Sequence, residues 1–206
     1  MNQTDLEVML APKKQSMVQM LGKENDVIKE MSFAIQAVNG NNLLQQCDKI
    51  SIALSVYNVA LTGLSLNPIT RLAYLTPRWN SRKQANECIL MPSYQGMVKV
   101  ITDTGSALKV EARLIMEGDE FYEEYGSEYR IIHRPKFPKG KVIVGAYAIA
   151  TLASGQQQIE VMDKAELDYI RSKSDSWKAF EAGKAKSSIW GDWEGEMCRK
   201  TVIKRL

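Results

Sequence analysis

With 206 residues the chain can bury about 70% of the surface its unfolded form would expose, so it needs no covalent staple and reads as one domain over residues 1–206. No stretch approaches the ~18 to 20 uninterrupted apolar residues of a membrane span, and the start Asn2-Gln3-Thr4-Asp5 is unlike a secretory signal, so a soluble, cytoplasmic protein without membrane contact is expected. Cys47, Cys88 and Cys198 are odd in number and far apart, which argues against a disulfide framework or a zinc knuckle and for reduced, buried thiols. The net charge of +3 hides an alternation. Residues 71–100 carry five basic and one acidic side chain, residues 101–130 three and eight, residues 131–141 four and none, and residues 171–206 nine and five. A protein that tracks a phosphate backbone needs such islands converging on one groove, with acid elsewhere. Chance clustering on solvated faces would look the same.

In chain order, the spacing of Val27, Met31, Ala34, Ile35 and Val38 predicts an amphipathic helix over 15–38, interrupted near Gly22 and ended by Gly40-Asn41-Asn42. Asp48 caps the next helix, whose stripe is Ile50, Ala53, Leu54, Tyr57 and Leu61, broadened by Ile52, Val56 and Val59. A hairpin follows, with strands 72–76 and 87–91 around a tip of Arg78, Trp79, Asn80, Ser81, Arg82 and Lys83. Ser93 caps a short helix that ends near Gly105. Residues 108–116 alternate, with Leu108, Val110, Ala112, Leu114 and Met116 facing inward. Residues 121–125 and 128–134 form a hairpin turned at Gly126-Ser127, and 142–152, apolar nearly throughout, is a central strand. A strand over 157–162 leads to a helix opened by the capping box Asp163 and Glu166, and a final helix starts near Ser188. The expected class is α+β: an antiparallel sheet with a hairpin, flanked by helices at both ends.

Enzymatic readings lack parts. The single His133 cannot form a His-pair metal site, and H-E-x-x-H, G-x-S-x-G and G-x-x-x-x-G-K-[ST] motifs are absent, so an ATP-driven motor is not expected. Glu117, Asp119, Glu120, Glu123 and Glu124 could bind divalent metal as nuclease carboxylates do, or form a solvated strand edge.

Binding residues are better represented. Along the final helix Trp193, Met197, Lys200, Thr201 and Lys204 share one face, with Arg199 and Arg205 pointing elsewhere. Either the lysines reach successive phosphates beside an aromatic anchor, or both Trp190 and Trp193 are core and the lysines snorkel past them. The hairpin tip offers Arg78, Arg82 and Lys83 beside Trp79, which suits backbone contact and stacking, or is only an exposed loop. A stiff loop at a strand end combines His133, Arg134, Lys136, Lys139 and Lys141 with Pro135 and Pro138, with no catalytic role for His133. Tyr94, Gln95 and the nearby Lys99 could meet a phosphate at a helix start; alternatively Tyr94 and Met97 face the core and Gly96 only allows close packing.

Five motifs, in order, carry a likeness to a known family: Gly63-Leu64-Ser65-Leu66-Asn67-Pro68, Ala73-Tyr74-Leu75-Thr76-Pro77, Tyr94-Gln95-Gly96-Met97, Glu117-Gly118-Asp119-Glu120-Phe121 and Ile132-His133-Arg134-Pro135. With the Trp-and-basic terminal helix from Trp193 to Leu206, the set resembles the RecT family of phage single-strand annealing recombinases, and more distantly the Bet recombinase of phage lambda. The likeness runs from about residue 50 to the end. It implies a non-enzymatic protein that binds single-stranded DNA, forms rings or filaments, and anneals complementary strands to duplex without ATP in a bacterial host cell. A partner exonuclease and the host single-strand-binding protein are implied alongside it. No cofactor is implied, magnesium being at most modulatory. Residues 1–45 are then a candidate oligomerisation arm, or part of the domain's own core. Family members continue beyond the Lys204-Arg205-Leu206 position, so a C-terminal segment is expected to be missing after residue 206.

Overall fold

A computed structural model describes residues 3–127 and 129–206. The chain divides into two compact units, Met1–Val100 and Ile101–Leu206. As expected of the α+β class, the strands pair antiparallel, with helices on either side of the strand region.

In the first unit α1 (Gln3–Leu10), α2 (Lys14–Leu21), α3 (Glu24–Asn39) and the single turn α4 (Asn42–Gln45) precede α5 (Lys49–Thr62). Helix therefore begins well before residue 15. Leu6 and Leu10, one turn apart on α1, and Met17 on α2 are buried in the same apolar core as Val27, Met31, Ala34 and Val38 of α3. A segment of eight residues has too little periodicity to announce itself, and tertiary packing supplies its stability. Asp48 caps α5 as expected, accepting from Ser51 N, while Asn41, expected only to help end α3, caps α4 by accepting from Leu43 N and Leu44 N.

Helix α5 turns a different face inward from the one its apolar residues indicate. Ile52, Ala53, Val56, Val59 and Ala60 are buried together with Ser51 and Ser55, while Ile50, Leu54 and Leu61 are exposed. The cause is the neighbouring ribbon of β1 (Ala73–Asn80) and β2 (Ala85–Pro92). Ser51 Oγ accepts from Cys88 N at 2.8 Å and Ser55 Oγ donates to Cys88 O at 2.9 Å, so the two serines must face β2. Buried hydroxyls need partners, and finding them on β2 turns the helix away from the Ile50, Leu54 and Leu61 face.

The β1–β2 ribbon is longer than expected, pairing from Ala73↔Pro92 to Asn80↔Ala85. Arg78 and Trp79 are strand residues, and only residues 81–84 form the tip. Pro77 is tolerated because each strand of a two-stranded ribbon has a free edge. The start of α6 (Tyr94–Asp103) is locked to this ribbon: Ser93 Oγ accepts from Gly96 N at 3.0 Å, and Ser93 N donates to Leu72 O. A Cβ on Gly96 would lie 2.1 Å from Leu72 O, so the helix can approach that carbonyl only through glycine.

The second unit is built on a sheet ordered β3 (Lys109–Met116), β6 (Ile143–Thr151), β7 (Gln157–Asp163), all antiparallel, with β6 central as predicted. Val110 and Ile115, five positions apart and so on opposite faces of β3, are both buried, while Leu108, expected inward, lies just before the strand and is exposed; a register shift follows at Ile115/Met116. The strands β4 (Glu120–Glu124) and β5 (Arg130–Arg134) form a separate ribbon; Glu128, expected to open the second strand, lies outside the described residues. Asp163 and Glu166 make the full capping box of α7 (Lys164–Lys173), followed by α8 (Asp175–Glu181). The final helix is broken. A turn α9 (Ile189–Asp192), capped by Ser188, is separated at Trp193 from α10 (Glu194–Arg205). Cys198, Val202 and Ile203 of α10 are buried, and the helix packs over β6 and β3. All three cysteines are free and buried.

Candidate nucleic-acid interface

The basic residues singled out from the sequence divide into those the fold has already matched with acid and those it has not. On the β1–β2 tip, Lys83 bonds Glu87 at 2.6 Å and is exposed, while Asn80 Oδ1 caps the turn by accepting from Arg82 N and Lys83 N. The Arg82 side chain makes no ion pair among the described residues. Arg78 and Trp79 lie exposed on β1, with Arg78 engaged in further contacts. At the start of α6, Gln95 Nε2 donates weakly to the Tyr94 hydroxyl at 3.4 Å. Tyr94 and Lys99 are both half-buried and have partners of their own, and Gly96 does the close packing.

The Gly63-Leu64-Ser65-Leu66-Asn67-Pro68 stretch proves to be a structural clamp. Buried Glu30 of α3 accepts from the Ser65 hydroxyl at 2.5 Å and from Leu66 N at 2.7 Å, and Asn67 Oδ1 accepts from Ile69 N. Its role is to fix the entry to β1. No sequence signal marked Glu30, because its partners lie 35 positions away.

The Glu117-Gly118-Asp119-Glu120-Phe121 stretch is likewise divided by the fold. The Asp119 side chain is 1% exposed and both its oxygens are engaged: Oδ2 accepts from Met116 N at 2.9 Å and from His133 Nε2 at 3.0 Å, and Oδ1 from Lys136 N at 2.8 Å. Burial pushes the Asp119 carboxyl up, but the bonds from His133, Met116 and Lys136 outweigh it and hold the group below its ordinary value. Because a carboxylate only accepts, His133 carries hydrogen on Nε2; in the neutral ring Nδ1 then accepts from the Tyr147 hydroxyl at 3.2 Å. Phe121 and Tyr147 box the imidazole, each ring within 6 Å of it. Three of the other acids meet cations or hydroxyls: Glu120 pairs with Arg134 at 3.1 Å, Glu124 with Arg130, and Glu123 accepts from Tyr125 and Tyr129, while Glu117 is exposed. Among the described residues, no group of three His, Cys, Asp or Glu side chains could hold a metal ion.

Beyond β5 the loop over residues 134–141 displays Lys136, Lys139 and Lys141, exposed and without ion pairs among the described residues. At its outer end stands Phe137, 94% exposed. Composition alone hid this residue, since a phenylalanine is ordinarily counted toward the core. Its position between two prolines' worth of basic loop was the signal that could have found it.

On α10 the four basic residues separate cleanly. Arg205 bonds Glu160 at 2.7 Å and Glu166 at 2.8 Å; the Glu166 bond, then Glu160, raise its pKa. Arg199 pairs with Glu196 at 2.9 Å. Lys200 and Lys204, one turn apart, meet no carboxylate among the described residues. Lys200 is half-buried, and desolvation first, then the Lys204 charge, pull its pKa down. Trp190 is core at 3% exposure, whereas Trp193 is 59% exposed, so one tryptophan follows each of the two readings. Nearby, Glu194 is tied to Lys164 at 2.9 Å and Arg171 at 3.2 Å, which anchors the start of α10 to α7.

Comparison with known proteins gives a match to the RecT family over residues 29–206. The chain is also similar to Protein RecT of Escherichia coli (strain K12), 32% identical over 166 residues that make up 79% of this chain and 58% of that protein. It thus spans under two thirds of that relative's length.

Proposed function

The chain belongs to the RecT family, and on that footing we propose that it is a recombination protein that binds single-stranded DNA and anneals complementary strands without ATP or catalysis. The observation that carries this reading is the Lys200 and Lys204 pair. Two ammonium groups held one helical turn apart, one of them partly desolvated, repel each other and meet no carboxylate among the described residues, and a polyanion supplies the counter-charge. Exposed Trp193 at the head of the same helix adds an aromatic surface on which a base can stack.

Annealing requires phosphates to be neutralised while bases stay available, so contacts to the backbone should dominate and sequence readout be absent. Avidity along a strand comes from many copies, so the active form is a homo-oligomer or filament. The partners are single-stranded DNA, the annealed duplex, an exonuclease that exposes single strands and the host single-strand-binding protein, in the cytoplasm of a bacterial host, with magnesium only a modulator. A magnesium-dependent nuclease would need Asp119 as a ligand, and its oxygens are already occupied by protein donors.

The test is annealing of two complementary labelled oligonucleotides in EDTA without nucleotide, followed across a salt series. Acceleration that fades with salt is expected. Lys200→Gln with Lys204→Gln should weaken single-strand affinity and lower the salt slope by about 2, whereas Arg205→Gln should leave the slope unchanged. Strand binding without annealing would instead indicate a protective single-strand-binding protein, and cleavage on adding magnesium a nuclease.

A further inference from the structure

We infer that the loop over residues 134–141 is a nucleobase-stacking finger, with Phe137 as its contact and Asp119 and His133 as the residues that position it. The inference rests on the single-strand-binding reading above and adds a site within it. Three observations converge. Phe137 is the most exposed large apolar side chain of the described residues, at 94%, and stands between Lys136 and Lys139 on a loop that follows Arg134 of β5 and also carries Lys141. A ring among cations is poorly explained by packing, and it matches what an unpaired strand offers, a π-face beside a phosphate.

The loop is also built to hold its shape. Asp119 Oδ1 receives Lys136 N, the residue beside Phe137, while Oδ2 receives the imidazole of His133, which in turn meets Tyr147 of β6. At the other end of the loop, a Cβ on Gly140 would come within 2.3 Å of Glu117 O, so the returning chain lies directly on the turn that carries Asp119. Glu117 N donates to Val142 O at 2.9 Å just beyond. A buried carboxylate with three protein donors, placed one residue from an exposed ring, fixes where that ring can go and removes the entropy cost of ordering it on binding.

The experiment is single-strand binding by the full chain across a salt series, using a labelled oligonucleotide. Phe137→Leu should weaken affinity about fivefold or more with the salt slope unchanged, because stacking releases no counterions. Lys136→Ala with Lys139→Ala should lower the slope by about 1 to 2. Asp119→Asn should reduce affinity and slope together, and added to the Phe137→Leu, Lys136→Ala, Lys139→Ala variant it should change affinity by no more than about twofold, since its effect acts through those side chains. Phe137 packs on nothing, so Phe137→Leu should melt with the wild type, and it decides the proposal even where the Asp119 variant fails to fold. Wild-type affinity in Phe137→Leu would overturn the stacking role, and an additive Asp119→Asn effect would overturn the positioning role. A wild-type chain that does not bind single strands would instead remove the function on which both depend.

Discussion

The molecule contains two antiparallel ribbons that carry basic residues, and they are fastened in opposite ways. The β1–β2 ribbon is tied by hydroxyls and main chain: Ser51 and Ser55 of α5 bond both polar groups of Cys88, Asp48 N donates to Asn86 O, and α6 lies on Leu72 through Gly96. The β4–β5 ribbon and its following loop are tied by a carboxylate and an imidazole, Asp119 and His133. The first fastening uses only hydroxyls and main chain, and the second rests on a carboxyl held below its ordinary value. Acidic residues that look alike in a sequence are therefore unlike in the fold, since Asp119 is a structural hub while Glu120 and Glu124 merely balance surface arginines.

The largest way to break the comparison is at the first ribbon. Gly96→Ala should destabilise its unit by about 3 kcal/mol, despite alanine's better helix propensity, because a methyl group 2.1 Å from Leu72 O forces α6 off the ribbon; thermal or urea unfolding measures it. Ser55→Ala should cost less, about 1 to 3 kcal/mol, by leaving Cys88 O buried without its donor. Neither variant should alter how stability depends on pH.

Asp119→Asn should alter that dependence. The folded Asp119 carboxyl titrates below its ordinary value, so its contribution is complete above about pH 4 and fades as pH falls through the folded value. Unfolding curves of wild type and Asp119→Asn should therefore converge in acid and separate at neutral pH. A constant gap between them would show that the charge is immaterial. The smallest effect belongs to Lys83→Ala, whose exposed pairing with Glu87 should leave the melting temperature unmoved, while weakening strand binding if the β1–β2 tip contacts DNA.

Much of the architecture was legible in the chain. Asp48, Ser93, Ser188 and the Asp163 and Glu166 box cap where local chemistry demands, and the unbroken apolar run around Ala146 and Ala148 could only be a central strand. The face of α5 was not legible, because two serines inside and three apolar residues outside reverse the usual reading. Nor were Arg78 and Trp79 as strand residues, or the burial of Ile115 on the face of β3 opposite Val110.

At the candidate interface the chain named its cations but not their state. Charge, periodicity and the ordered motifs were sufficient for family, fold class and the basic islands, since each depends on residues near one another in sequence. Which cations are spent was decided by pairings across long separations, such as Arg205 with Glu160 and Glu166, against Lys200 and Lys204 with none among the described residues. The same is true of Asp119, which only the return of the chain at His133 and Lys136 converts from a surface acid into the hold on an exposed phenylalanine. Local sequence sets what a residue can do, and tertiary contact, by supplying or withholding a partner and solvent, sets which of those things it does.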